Sequence, residues 1–514
     1  MITIYKSKVK QIFLWLFIGS LISLASCKKG TFDINSPNPN ALSPSSVGPK
    51  YYLSSSLAGT ANLMYGGSLG STAGGDILNT WMGYWGYSGG FTPSPVLVQY
   101  QLTSTVGTAN WDNAYLNIKN YNVIENLSSA DPNLANYKGI AQIMQAFVFQ
   151  RIVDLYNNAP YTEALSSSNT TPAYDKGSDI YDSLLLKVNL SIAAINAAAA
   201  NKDAENPGDY DVLFKGDMNM WLKFANTLKL KLVMRLTETA DGPAIAKTEL
   251  AGLTSANFLG AGEDAGVNPG YSTAANNQEN PYYLNVASTV TGAAGTNNTY
   301  WRANSYAVDF YKNNNDPRDS FFYAYNKAGN IMGRKIGSTA SGEGNDNISG
   351  VNGPGNAKSP SQDAVILGAF ESFFLQAEAA QRGFITGDAN ALYKSAVEES
   401  FRLLGVPDAL ASADTYIAQA GNENVNYAAS TNKLNTLITQ KWAACNSFDP
   451  LESYSDWRRL KIPADLPVSD FPGNQATHIP YRLVYPDSES SYNSGVVNKE
   501  GTVDIQNSKI FWQP

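Results

Sequence analysis

Histidine occurs once in this chain, at position 478, and cysteine twice, at positions 27 and 445. So few ligands of these two kinds argue against a zinc site of His and Cys, and against an iron site built from several histidines. A Ser-His-Asp triad would have to take His478 as its base, and that residue lies in the irregular, Pro-bounded stretch HIPYRLVYP. Charge is sparse: 16% of residues are Asp, Glu, Lys or Arg, and the formal net charge is −8. Phosphate binding needs clustered Lys and Arg, so an acidic, lightly charged chain points away from nucleic acid. Long apolar runs are missing too. The run from Ile12 to Ala25 is 14 residues, where a spanning helix needs about 20, and no later stretch reaches that length. The patterns D-x-[DN]-x-[DN]-G and G-x-x-x-x-G-K-[ST] are absent. With 44 acidic residues, composition still leaves open a carboxylate-only glycosidase pair or a structural calcium site.

What is present begins at the N-terminus. Lys6, Lys8 and Lys10 precede the apolar run, which closes on Leu24, Ala25, Ser26 and Cys27. This is the charged-then-apolar layout of an export signal, and L-A-S-C is a lipobox whose Cys27 thiol receives lipid. The expected organisation is a lipoprotein signal peptide at 1–26, a lipidated tether at 27–47 rich in Pro, Asn and Ser, and a single domain at 48–514. Removing the signal leaves 33 basic against 44 acidic residues, a net charge of −11. Each buried acyl CH₂ contributes about 0.8 kcal/mol, so several chains hold a protein on a bilayer without a spanning helix. Cys445 is then the sole thiol, and in a helical run it reads as buried and structural.

Helical periodicity comes in pairs. The spacing predicts helices at about 110–128 and 133–158, 178–200 and 217–239, 366–384 and 388–404, and 432–447 and 449–460. In the 217–239 helix Asp217 is the expected N-cap, and Trp221, Phe224, Ala225, Leu228, Leu232 and Leu236 form the stripe. Four hairpins, within about 110–251 and 366–460, suggest tetratricopeptide-like stacking in a mostly α fold. Between them, residues 252–365 are rich in Gly, Asn, Ser and Thr. Their aromatic groups favour an ordered, loop-rich insertion over a disordered linker.

Several segments carry a family resemblance, in order behind the lipobox. They are FDINSPNPNALSP, IVDLYNNAPYTEAL (152–165), WLKFANTLKLKLVMRL (221–236), NDPRDSFF (315–322), ESFFLQAEAAQRGFITGDANALYKSAV (371–397), DWRRLKIP (456–463) and IPYRLVYPDSESSYN (479–493). The chain resembles the SusD/RagB family of nutrient-binding outer-membrane lipoproteins of Bacteroidetes. The resemblance implies a SusD-like fold and a lipid-anchored place in the outer membrane, facing the exterior. It implies capture of an oligosaccharide and its transfer to a SusC-like TonB-dependent transporter, without catalysis or cofactor. Alternatives are the same transporter-lid role for peptides, a surface adhesin or a glycosidase. A polyanionic glycan fits the acidic balance poorly.

Most of those motif residues read as structural. Trp221 and Phe224 belong to a core stripe. Glu378 and Arg382, spaced i,i+4, read as a surface or capping pair, and Arg482 and Glu489 as ties for the tail. The expected ligand contacts lie elsewhere. WMGYWGYSGGF (81–91) sets Trp81, Tyr84, Trp85 and Tyr87 among glycines, and Tyr300, Trp301, Arg302 and Asn304 form a similar group in the insertion. Pyranose faces stack on aromatic rings while amides take the rim hydroxyls. Core packing is the competing role for each ring. Trp85 and Trp301 are expected as stackers and Trp81 as a core member.

Overall fold

The computed structural model describes residues 47–65, 76–166, 168–295 and 297–514. The signal peptide and nearly all of the tether, Cys27 included, lie outside the described residues. Pro49–Pro514 form one compact unit. None of its described helices is long and apolar enough to cross a membrane.

The helical framework runs α1 (Pro49–Tyr65), α2 (Asp76–Trp81), α3 (Thr108–Ser128), α4 (Ala135–Tyr156), α5 (Gly177–Ala199) and α6 (Met218–Arg235). After the irregular segment and a short helix α7 (Ser305–Asn313) come α8 (Ala369–Gln381), α9 (Ala389–Leu404), α10 (Lys433–Cys445) and α11 (Pro450–Leu460). The eight helices expected from periodicity are all present, within a few residues of their expected ends. Asp217 caps α6 by accepting from the backbone N–H groups of Asn219 and Met220. Consecutive helices from α3 to α6 pack side by side, and α8 touches both α9 and α10. Helix α4 is the centre of the first group and buries nearly every side chain. Gly139 lets α5 approach it: an added Cβ would meet Ile195 Cγ1 at 2.7 Å.

Helix α1 has no counterpart in the periodicity. Its apolar stripe is interrupted by Ser56 and Thr60, yet both are buried. Asn117 Nδ2 donates to Ser56 O at 2.8 Å, and Thr60 Oγ1 meets Asn117 Oδ1 at 2.9 Å and Tyr121 Oη at 2.8 Å. Polar pairing with α3 replaces apolar burial there.

A buried ionic network joins α4, α6, α8, α10 and α11. Lys231 Nζ lies 2.7 Å from Glu371, 2.9 Å from Asp449 and 3.1 Å from Glu452. Arg235 bridges Glu452 and Asp154, and Lys441 bridges Glu452 and Asp456. Arg459 holds Glu378 through two bonds of 2.6 and 2.7 Å. This corrects the surface reading of the 378/382 pair. Arg382 does bond Glu378 at 2.9 Å, but Glu378 is fully buried because Arg459 reaches it from α11. Glu489 accepts from Tyr174 Oη at 2.9 Å, so the tail is tied down as expected.

The insertion is ordered by two small antiparallel ladders. Strand β1 (Trp85–Tyr87) pairs with β3 (Trp301–Ala303), and β2 (Ala265–Val267) pairs with β4 (Ala364–Leu367). The first ladder joins the two aromatic segments, Trp85 opposite Ala303 and Tyr87 opposite Trp301.

Candidate functional site

That ladder decides the fate of the expected sugar platform. Trp81 ends α2 and Trp85 opens β1, so the two do not share a helix. Trp81 packs against Tyr454 at 5.6 Å between ring centroids. Tyr84 stacks on Trp442 at 5.2 Å, and its hydroxyl donates to Trp442 O at 2.6 Å. Trp85 donates from Nε1 to Ser447 Oγ at 3.1 Å and lies 5.7 Å from Trp301. The guanidinium of Arg334 covers the Tyr87 ring at 4.4 Å. Arg302 donates to Asn298 O at 2.6 Å, and burial lowers its pKa to about 10. Asn304 caps α7 by accepting from Tyr306 N at 3.0 Å and donates to Trp85 O at 3.2 Å.

Trp81, Tyr84, Trp85, Tyr87, Trp301, Arg302 and Asn304 are therefore buried, none more than 5% exposed. Trp81 is in the core as expected, and the stacking role given to Trp85 and Trp301 is corrected. Their faces are occupied by each other because cross-strand pairing brings the two segments together and the insertion covers both sides. Of the eight, Tyr300 alone is half-buried; its ring meets the partly exposed Phe91 edge-on at 5.2 Å.

A cleft of about 800 Å³ lies elsewhere, between α7, the 420–424 loop, the start of α10 and residues 463–465. Helix α7 supplies Tyr306, Asp309, Phe310 and Asn313. Tyr306 and Phe310 are half-buried, each set edge-on to Trp442, at 5.4 and 5.0 Å. The 420–424 loop is stapled to the end of α7. Asn422 Nδ2 donates to Asn314 Oδ1 at 2.9 Å, and Gln419 Nε2 donates to Asn314 O at 2.7 Å. These bonds use up Asn314 and Asn422. Among the described residues, no side-chain hydrogen-bond partner meets Asp309, Asn313, Asn424, Asn435 or Thr439, all of which line the cleft.

Among the described residues, three carboxylates, Asp309, Glu423 and Asp465, line the cleft and no Lys, Arg or His does. Asp465 accepts from Tyr306 Oη at 2.7 Å. Glu423 accepts from Thr431 N, Ser430 Oγ and Thr431 Oγ1, and these bonds hold it below its usual range. Free amides and hydroxyls beside half-buried rings suit hydroxyl-rich, partly apolar ligands. Neither segment was singled out from the sequence. The signal was there in two amide-rich runs, Asn313-Asn314-Asn315 at the end of α7 and Asn422-Glu423-Asn424 in the loop before α10.

Among the described residues, one cluster of acids has the spacing of a metal site: Glu371, Asp449 and Glu452, with oxygens within 4.8 Å of one another. Lys231 and Arg235 already fill it with positive charge, and it does not fit a cation.

The fold has close counterparts among solved structures. A chitin-binding SusD homologue from Flavobacterium johnsoniae superposes with a TM-score of 0.72 at 24% identity, over 90% of this chain and 98% of that one. A SusD homologue from Bacteroides uniformis gives 0.70 at 21%, covering 90% and 99%. A SusD-like protein from Bacteroides thetaiotaomicron gives 0.69 at 21%, covering 90% and 98%. No curated protein matches the sequence. The model of the SusD-like family described as starch-binding and associating with the outer membrane matches residues 52–486. With that match spanning most of its length, the chain belongs to the SusD-like family of outer-membrane nutrient-binding proteins.

Proposed function

We propose that this protein is a lipid-anchored surface receptor that captures an oligosaccharide in the Tyr306–Phe310 cleft and passes it to a SusC-like TonB-dependent transporter. The observation that carries the reading is a roomy cleft whose amides and hydroxyl are left free beside two half-buried rings. The family description and the chitin-binding structural relative support a glycan as ligand. The transporter partner and the outward orientation rest on family membership.

Binding is favoured over hydrolysis by the state of the cleft acids. A glycosidase needs one carboxyl kept protonated, usually by burial. Asp309, Glu423 and Asp465 are all exposed, and Glu423 is shifted the opposite way. Incubation with oligosaccharides should release no reducing ends.

Asn313→Ala, Asn424→Ala and Asn435→Ala test the cleft without disturbing the core, because these side chains have no partner to lose. Each lost hydrogen bond to a sugar hydroxyl is worth about 0.5–1.5 kcal/mol. Each variant should therefore weaken oligosaccharide binding about two- to tenfold by calorimetric titration, with an unchanged melting temperature. Unaltered affinity in all three would refute the cleft as the site. The anchor is tested separately: Cys27→Ala should no longer incorporate labelled palmitate, and retention of the label would overturn the lipobox.

A further inference from the structure

The charges around the cleft say more than that it accepts sugar. Asp309 comes from α7, Glu423 from the 420–424 loop and Asp465 from the segment after α11, so three separate stretches each bring a carboxylate to one concavity. Lysines on the same elements are all directed elsewhere. Lys312 Nζ donates to Ile331 O at 2.6 Å, and Lys433 Nζ donates to Tyr427 O at 2.9 Å and Ala428 O at 3.1 Å. Lys441 is held inside the ionic network. Lys461 lies over the rings of Trp457 and Tyr481, at 4.2 and 4.3 Å. Among the described residues, no cation lines the cleft to compensate its negative charge.

A second, independent feature marks the floor. Thr439 is only 6% exposed, yet among the described residues its hydroxyl has no partner, and the residue lines the cleft. The threonine body is held in the core while its hydroxyl is open to the cleft, where a polar group of a bound ligand would pair with it. Asp309 likewise has no partner, whereas Asp465 retains an acceptor oxygen beyond the one that Tyr306 uses.

Resting on the glycan reading above, we infer that the cleft selects amino sugars with free, protonated amines, such as glucosamine oligomers. Ammonium groups of such an oligomer would each gain a charge-assisted hydrogen bond at Asp309 and at Asp465, while Tyr306 and Phe310 contact the sugar face. Acetylating the amine removes the charge and leaves both carboxylates unpaired. Exposed ion pairs of this kind contribute up to about fivefold each in affinity.

The test is calorimetric titration of the whole mature protein with glucosamine hexamer, its fully N-acetylated counterpart and a neutral glucose hexamer. Wild type should prefer the free amine over the N-acetylated form by about tenfold. The preference should shrink at high salt, and Asp309→Asn with Asp465→Asn should abolish it, so that the free-amine and N-acetylated hexamers bind alike. Asparagine preserves an acceptor for Tyr306, and equal melting temperatures would verify that the variant is folded. Equal or tighter binding of the acetylated or neutral hexamer, or a preference that survives the double substitution, overturns the amine inference and leaves the cleft reading intact. Absence of binding to all three by folded wild type overturns both the inference and its application to these sugars, whereas the asparagine-to-alanine series above judges the cleft itself.

Discussion

Glu452→Ala is expected to destabilise the protein by about 3–5 kcal/mol, because it strips the shared counter-ion from three buried cations. Glu452 is fully buried and contacts Arg235, Lys231 and Lys441 at once. Desolvating those three charges is costly, and their remaining partners, Asp154, Glu371, Asp449 and Asp456, do not replace the lost carboxylate. The urea midpoint should fall sharply. Lys327→Ala, which breaks an exposed pair with Asp346, should leave it unchanged. A midpoint for Glu452→Ala like that of wild type would mean the network contributes nothing.

The same network sets a pH window. Burial pushes Glu378 up, but Arg459 overcomes it and holds the carboxyl at about 2. Glu452 is likewise carried well below its usual value by Arg235, Lys231 and Lys441, against the push of burial. Depressed groups stabilise the fold above their ordinary value of 4.5, and that stability is lost as pH falls through the folded value. For Glu378 the contribution is on the order of 3 kcal/mol. Glu371 shows the opposite sign: burial raises it to about 7, and Lys231, shared with two other carboxylates, only partly offsets this. Its contribution is present below about 4.5 and is lost as pH rises through about 7. Urea midpoints measured across the pH range should therefore be highest near pH 4.5, falling at lower pH as Glu378 protonates and falling again toward about 7 as Glu371 ionises.

Trp85→Ala and Trp301→Ala should each cost about 3–5 kcal/mol of folding stability. Both indoles are 1% exposed and lie against each other, and Trp85 also donates to Ser447. Any loss of glycan binding in these variants should follow the loss of folded protein. A ligand-stacking ring behaves in the reverse manner, with binding lost and melting temperature kept. If Trp301→Ala melted like wild type but bound sugar poorly, its assignment to the core would be wrong.

These residues also show why part of the molecule was legible beforehand. The stripe from Trp221 to Leu236 repeats at helical spacing, and burial of one face is a local property that such a repeat encodes directly. Helix α1 escaped because Ser56 and Thr60 break its stripe, and their burial depends on Asn117 and Tyr121, distant in sequence. Glu378 and Arg382 were rightly paired, yet the depth of the pair was set by Arg459, which arrives from another helix.

Helical periodicity and ordered motifs were enough to place the helical pairs, the loop-rich segment between them and the family. Tertiary structure alone decided which aromatic rings meet solvent, because a flat ring presents the same apolar face to a sugar or to another ring. At 81–91 and 300–304 the β1–β3 pairing supplied protein for those faces and closed them. At Tyr306 and Phe310 the loop from Gln419 to Asn424 is fastened to the end of α7, and a cleft remains beside it. The difference lies in long-range contacts, which no local pattern of residues specifies.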